Sequence, residues 1–331
     1  MEIALSIIGG LVALAVGGEF LVRGAVQIAE RLGVSPLLIG LTLVGFGTST
    51  PELVTSVQAA LIGAPGIAVG NIVGSNIANV LLILGLSAMI FPVAVTRNAL
   101  RRDGTLVLVT ALALTAVGLF GTLDRIVGFV FVAGLAAYIV YAYMTERTDG
   151  ADTTAAAAKA AAYDATHESV HGMAAADPKT GMQGILVSIA FALGGLAIVV
   201  VGGGYLVDGA VQLAKTLGIS DAVIGLTIVA VGTSMPEFVT SVVAAIRKQS
   251  DVALGNILGS NIYNILGIGG VTGLIAPTAI PAQIATFDNF VMVAVSVALL
   301  AFAWSGMRLA RWEGAVLLAG YVAYVAWLWP R

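Results

Sequence analysis

The chain has no cysteine and only two histidines, both in one pentapeptide, so disulfides and thiolate metal sites are excluded. Charge is equally scarce. Asp, Glu, Lys and Arg make up 10% of 331 residues, and 15 basic against 18 acidic side chains leave a net charge of −3 with no basic face for nucleic acid. What fills the space is apolar: 59% of the residues are hydrophobic and the mean hydropathy is +1.02. This is the composition of an integral membrane protein. Forty-one glycines suit helices that pack closely in a bilayer, where small residues let backbones approach.

Apolar runs long enough to span a bilayer, about 20 residues each, fall near 3–29, 37–62, 67–91, 104–121 and 124–144, and again near 182–214, 222–246, 252–276, 284–304 and 309–329. The first run is too long and too apolar for a removable signal peptide and is expected to be a spanning helix. The pattern predicts an all-α integral membrane protein of ten transmembrane helices in two five-helix repeats. The first is 1–144, followed by a linker at 145–181 and a second repeat at 182–331.

The repeat is written in the residues themselves. Positions 221–270 match 36–85 without a gap at an offset of 185, with 28 of 50 identical. Upstream, LVRGAVQIA at 21–29 matches LVDGAVQLA at 206–214. An odd number of helices per repeat inserts the second copy upside down, and inverted repeats place a substrate site at the midplane between them. With ten crossings, eleven basic residues, from Arg31 to Arg311, fall on one face, and only Arg125, Lys215 and Arg331 on the other, with Arg23 inside a helix. The positive-inside rule then puts both termini outside and 145–181 in the cytoplasm.

Each copy carries one carboxylate, Glu52 or Glu237, directly after Gly-Thr-Ser-x-Pro in an apolar segment. A carboxylate at that depth is costly unless paired, hydrated or bound to a cation, so it is a functional candidate. Pro51 and Pro236 remove a backbone donor and break the helix. Carbonyls near Gly45–Thr48 and Ala230–Thr233 are thereby freed toward a polar cavity. Thr48, Ser49, Thr233 and Ser234 add hydroxyl oxygens. Further on, GNIVGSNIAN and GNILGSNIYN bring Ser75 with Asn79 and Ser260 with Asn264, each pair at i, i+4 on one helix face. Carboxylates, carbonyls, amides and hydroxyls form a hard-oxygen set suited to Ca²⁺ and to Na⁺, not to zinc or copper. For any single Ser, Thr or Gly here, back-bonding to its own helix or plain packing is an equal reading. The duplicated glutamates are not open to that reading.

GTSTPE…GNIVGSNIAN and GTSMPE…GNILGSNIYN resemble the two alpha repeats of the cation/calcium exchanger superfamily, most closely its prokaryotic sodium/calcium branch. The resemblance covers the whole architecture, with the specific motifs confined to about 100 residues. It implies a transporter rather than an enzyme, with no cofactor and with Ca²⁺ and Na⁺ as substrates. Glu52 and Glu237 would hold Ca²⁺ with Thr48 and Thr233. Ser49, Ser75, Ser234, Ser260 and backbone oxygens at Gly45 and Ala230 would serve Na⁺, and the first and sixth helices would form a sliding gate. Some members carry aspartate where this chain has Asn264, and potassium-dependent relatives favour it. Asn79 and Asn264 therefore argue against K⁺ dependence. Proton/calcium antiport stays open, because burial can raise a glutamate pKa.

Other features read as structural. HESVH, His167 to His171, fits the HExxH zinc pattern but lies in an Ala-rich linker with no evident third ligand, which points to a solvated loop. The linker, at 37 residues, is too short for its own core and is expected to be a partly helical tether. Arg23 with Glu19 reads as a local pair, Asp208 as a polar helix end, and Arg97, Arg101 and Arg102 as a topology anchor. A passive cation channel and a membrane protease using HESVH are the rival classes.

Overall fold

The computed structural model describes residues 1–148, 153–163 and 182–329. Long helices account for nearly all of it. They are α1 (Glu2–Arg31), α2 (Leu37–Thr48), α3 (Thr50–Leu61), α4 (Pro65–Ile90), α5 (Arg97–Phe120) and α6 (Arg125–Thr148), then α7 at 155–163. There follow α8 (Met182–Leu217), α9 (Asp221–Thr233), α10 (Met235–Ile246), α11 (Val252–Ile275), α12 (Ile284–Gly306) and α13 (Arg311–Leu328). Seven of these are long and apolar enough to cross a bilayer, and the bent pairs α2–α3 and α9–α10 bring the number to nine. The remaining segment, α13, is an 18-residue helix whose first turn carries Arg311 and Glu313.

The bends fall where the prolines require them. α2 meets α3 at 53° and α9 meets α10 at 52°, with Ser49 and Ser234 outside helical geometry at the two corners. Pro51 and Pro236 sit in the first turn of the helix that follows, where a missing N–H leaves no intrahelical bond unmade. Just before each corner the helix widens into a π turn, at Gly40–Val44 and Gly225–Val229. The same widening recurs at Asn79–Leu84 and Tyr263–Gly269, and at Leu100–Gly104 and Ile284–Asp288. Each π stretch has a counterpart in the other repeat, and such insertions gather at functional sites.

α4 and α11 form the centre and are almost entirely buried. α1 and α8 pack antiparallel to each other. Gly10 of α1 faces Gly202 and Leu206, Gly17 faces Gly195 and Val199, and Gly24 faces Ser188 and Ala192. A Cβ at Gly17 would come within 2.8 Å of the Val199 backbone nitrogen, so this approach needs glycine. Two short antiparallel strand pairs tie the halves together: Val93–Ala94 with Arg308–Leu309, and Thr122–Leu123 with Thr278–Ala279.

The expectation for the linker holds in part: the expected helical character is present in α7, but α7 is not a loose tether, since it is packed into the protein with Ala155, Ala156, Ala158, Lys159, Ala160, Ala162 and Tyr163 all buried. HESVH lies outside the described residues.

Candidate functional site

The corners at Ser49 and Ser234 deliver the first turns of α3 and α10 into the protein interior, each headed by its glutamate. Glu52 is 1% exposed and Glu237 2% exposed. The two repeats hold each other's carboxylate: Ser234 Oγ donates to Glu52 Oε1 at 3.0 Å, and Ser49 Oγ to Glu237 Oε1 at 3.5 Å. Both carboxylates thus lie in one buried hydrogen-bonded cluster.

Asparagines in α4 and α11 brace the corners. Asn71 Nδ2 donates to the Glu52 carbonyl at 3.1 Å and to Ser56 Oγ at 3.0 Å. Its counterpart Asn256 donates to the Glu237 carbonyl at 3.3 Å and to Ser241 Oγ at 2.9 Å. Neither Asn71 nor Asn256 was among the expected site residues. The signal was present, since Asn71, Ser75 and Asn79 form one i, i+4 stripe duplicated in α11.

The other expected residues divide. Thr233 donates to Asn71 Oδ1 at 3.0 Å and to the Ala230 carbonyl at 3.3 Å, and Ser75 reaches the same carbonyl at 3.4 Å. Ser260 Oγ lies 3.4 Å from Glu237 Oε1. Thr48 is half-buried and, among the described residues, its hydroxyl reaches only the Gly45 carbonyl in its own helix, at 3.4 Å. It also lines a cavity of about 700 Å³ that opens beside Pro51 and Pro236. Asn79 Nδ2 donates to Asn261 Oδ1 at 2.9 Å, one step away from the glutamates along α4 and α11. Several buried side-chain oxygens have no hydrogen-bond partner among the described residues, and Glu52 Oε2, Glu237 Oε2, Asn79 Oδ1 and Asn264 Oδ1 are among them.

Gly45 and Ala230 occupy equivalent positions with different neighbours. A Cβ at Gly45 would lie 2.8 Å from the Tyr263 hydroxyl oxygen, and that hydroxyl donates to the Leu41 carbonyl. Ala78 stands where Tyr263 stands in the other repeat, leaving room for the Ala230 methyl.

One cation is already in the site. Lys159 of α7 is fully buried, with its Nζ 3.0 Å from Glu237 Oε1 and near Ser260 Oγ. Breaking a buried pair of this kind by removing one partner costs about 3–5 kcal/mol. Nothing in AAAAKAAA advertised this; a lone lysine among alanines reads as a solvated helix. The expected pairing of Arg23 with Glu19 is present, and the Tyr163 hydroxyl donates to the other Glu19 oxygen at 2.9 Å. Asp208 is exposed. Among the described residues no group of three or more His, Asp or Glu gathers, so the acidic charge of the site is that of two glutamates.

Two bent helix pairs, each bringing a carboxylate to a shared buried cluster of hard oxygens, are features of a cation carrier. The sodium/calcium exchanger protein family matches residues 3–144 and 187–329, and this chain belongs to that family of membrane transporters. It is 37% identical to CaxA of Alkalimonas amylolytica, over 95% of each chain. It is 36% identical to the sodium/calcium exchanger MaX1 of Methanosarcina acetivorans, over 96% of this chain and 95% of that one. A solved structure of the sodium-calcium exchanger NCX_Mj superposes with a TM-score of 0.61 at 32% identity, covering 100% of this chain and 99% of the other.

Proposed function

We propose that the protein is a sodium/calcium antiporter that extrudes Ca²⁺ in exchange for inward Na⁺ by alternating access around the Glu52–Glu237 site. The observation that carries this reading is the reciprocal pair of serine–glutamate hydrogen bonds, which makes one site out of two repeats. Partnerless oxygens on both glutamates, Asn79 and Asn264 are free to face a cation, and the hard-oxygen set suits Ca²⁺, which takes 6–8 oxygens. Thr48, Thr233, Ser49, Ser234, Ser75, Ser260 and the carbonyls of Gly45 and Ala230 supply the neutral part of the set. A dry carboxylate pair without metal is costly, so reorientation is favoured only when the site is loaded.

The ten-helix inverted topology belongs to the same reading. α1 and α8 are equivalent by sequence and run antiparallel. With ten crossings, one strand pair caps the face bearing Arg97 and Arg308, and the other caps the opposite face. The arginine-rich face is cytoplasmic and the termini lie outside.

The test is ⁴⁵Ca²⁺ uptake into proteoliposomes against imposed Na⁺, K⁺ or H⁺ gradients. Uptake driven by Na⁺ alone supports the reading. Uptake driven by H⁺ alone replaces it with proton/calcium antiport, and no Ca²⁺ flux under any gradient rejects it.

A further inference from the structure

The two halves of the site differ in how their central helices are packed. In α4, Gly70 and Gly74 face Ala222 and Leu226 of α9 directly, and Gly225 faces Gly66 and Ile67 in return. At their equivalents in α11, Gly255 and Gly259, the nearest neighbours are not in α2. These two glycines face Ala155, Ala158 and Lys159 of the linker helix, while Gly40 of α2 faces Ala160. α7 therefore stands as a wedge between α2 and α11, where the opposite half closes by direct contact.

The wedge is specifically held. Asp103 Oδ2 accepts from the Ala155 backbone N–H at 3.0 Å, the Tyr138 hydroxyl lies 3.3 Å from Ala156 N, and Arg102 donates to the Thr153 carbonyl at 2.9 Å. At the far end Tyr163 binds Glu19. Asp288, the equivalent of Asp103, keeps Oδ2 without a partner among the described residues, and the Tyr324 hydroxyl donates to its Oδ1 at 2.9 Å. The departure from repeat symmetry around Thr48 fits the same cause. Thr233 reaches Asn71, whereas Thr48 does not reach Asn256, because α2 is held off.

We propose that α7 is a built-in plug of the ion path, with the Lys159 ammonium as a tethered stand-in for the transported cation at Glu237. This rests on the two-glutamate transport site proposed above. The alanine face of α7 fits the glycine face of α11, so the helix fills the passage on the side of the site nearer Asp103. Its one charged side chain delivers a cation to the carboxylate that Ca²⁺ would need. Withdrawal of α7 opens that path. While α7 is seated, Ca²⁺ offered on the linker side competes with an intramolecular ligand, and its apparent affinity falls by the fraction of time the plug is out.

Two experiments on the full chain in proteoliposomes test this, with ⁴⁵Ca²⁺ offered on the linker side. In the first, Lys159→Met keeps the apolar stem and removes the ammonium. The half-saturating Ca²⁺ concentration should drop by about tenfold, corresponding to a plug withdrawn about one tenth of the time. In the second, Ala160→Cys with Gly40→Cys uses the absence of native cysteine to lock α7 to α2, since a Cβ at Gly40 would stand 3.0 Å from the Ala160 Cβ and meet nothing else, a few tenths of an ångström short of disulfide spacing. Oxidation should arrest flux and reduction restore it, with the reduced protein serving as its own control for folding. Flux that continues in the oxidised protein overturns the plug. So does flux sensitive to Glu52→Gln and Glu237→Gln but unchanged or lowered by Lys159→Met; the two-glutamate site then stands and the plug alone fails. Flux indifferent to both glutamate substitutions removes the underlying site, and the plug falls with it.

Discussion

The hydroxyl of Ser234 donates to Glu52 Oε1 across the repeat boundary at 3.0 Å, while its counterpart Ser49 stands 3.5 Å from Glu237 Oε1. Each serine is the corner residue of one bent helix pair, so orienting one repeat's carboxylate depends on the other repeat's bend. The tighter bond lies in the half without the linker helix. In the other half Glu237 Oε1 is shared with Lys159 and Ser260.

That asymmetry sets an order of effects. Ser234→Ala removes a bond worth about 0.5–1.5 kcal/mol, a loss of about 2- to 10-fold in Ca²⁺ affinity. Ser49→Ala, which removes the longer bond, should cost less. Half-saturating Ca²⁺ for flux in the two variants checks the ranking.

The bracing asparagines should matter for stability. Asn71→Ala strips a donor from the Glu52 carbonyl and from Ser56 and an acceptor from Thr233, all buried. Leaving such groups unpartnered costs about 1–3 kcal/mol. Asn256→Ala removes two of the corresponding bonds and no threonine contact appears there, so its effect should be the smaller. Thermal unfolding in detergent, followed for both variants, measures the difference.

Gly45 and Tyr263 should behave as a coupled pair. Gly45→Ala forces a methyl against the tyrosine ring and should destabilise by about 1–3 kcal/mol. Combining it with Tyr263→Ala recreates the Ala230–Ala78 arrangement of the other repeat. A double-mutant cycle on unfolding free energy should then show favourable coupling above about 0.5 kcal/mol. Additive effects would mean that the pair does not touch.

These residues also mark how far the sequence could be read. Glu52 and Glu237 were legible because the motif is duplicated and a buried carboxylate has few uses in a bilayer. The helix breaks were legible because a proline cannot donate to the turn before it. Asn71 and Asn256 were legible in principle, lying on the same stripe as Ser75 and Ser260, but an amide that braces a backbone carbonyl leaves no signature in the residues around it. Lys159 was not legible. Its role depends on long-range placement: an alanine helix finds a glycine face about 100 residues later, and no local pattern encodes that pairing. Nor could periodicity reveal that α2 is held off α11, since both helices have the same motif as their symmetric partners.

The most direct test of a shared site is equilibrium Ca²⁺ binding to purified protein, measured for the unsubstituted chain, Glu52→Gln and Glu237→Gln. If the two carboxylates jointly hold one ion, either substitution alone abolishes saturable Ca²⁺ binding and its suppression by Na⁺. Retention of Na⁺-sensitive Ca²⁺ binding by either single variant would contradict the shared site.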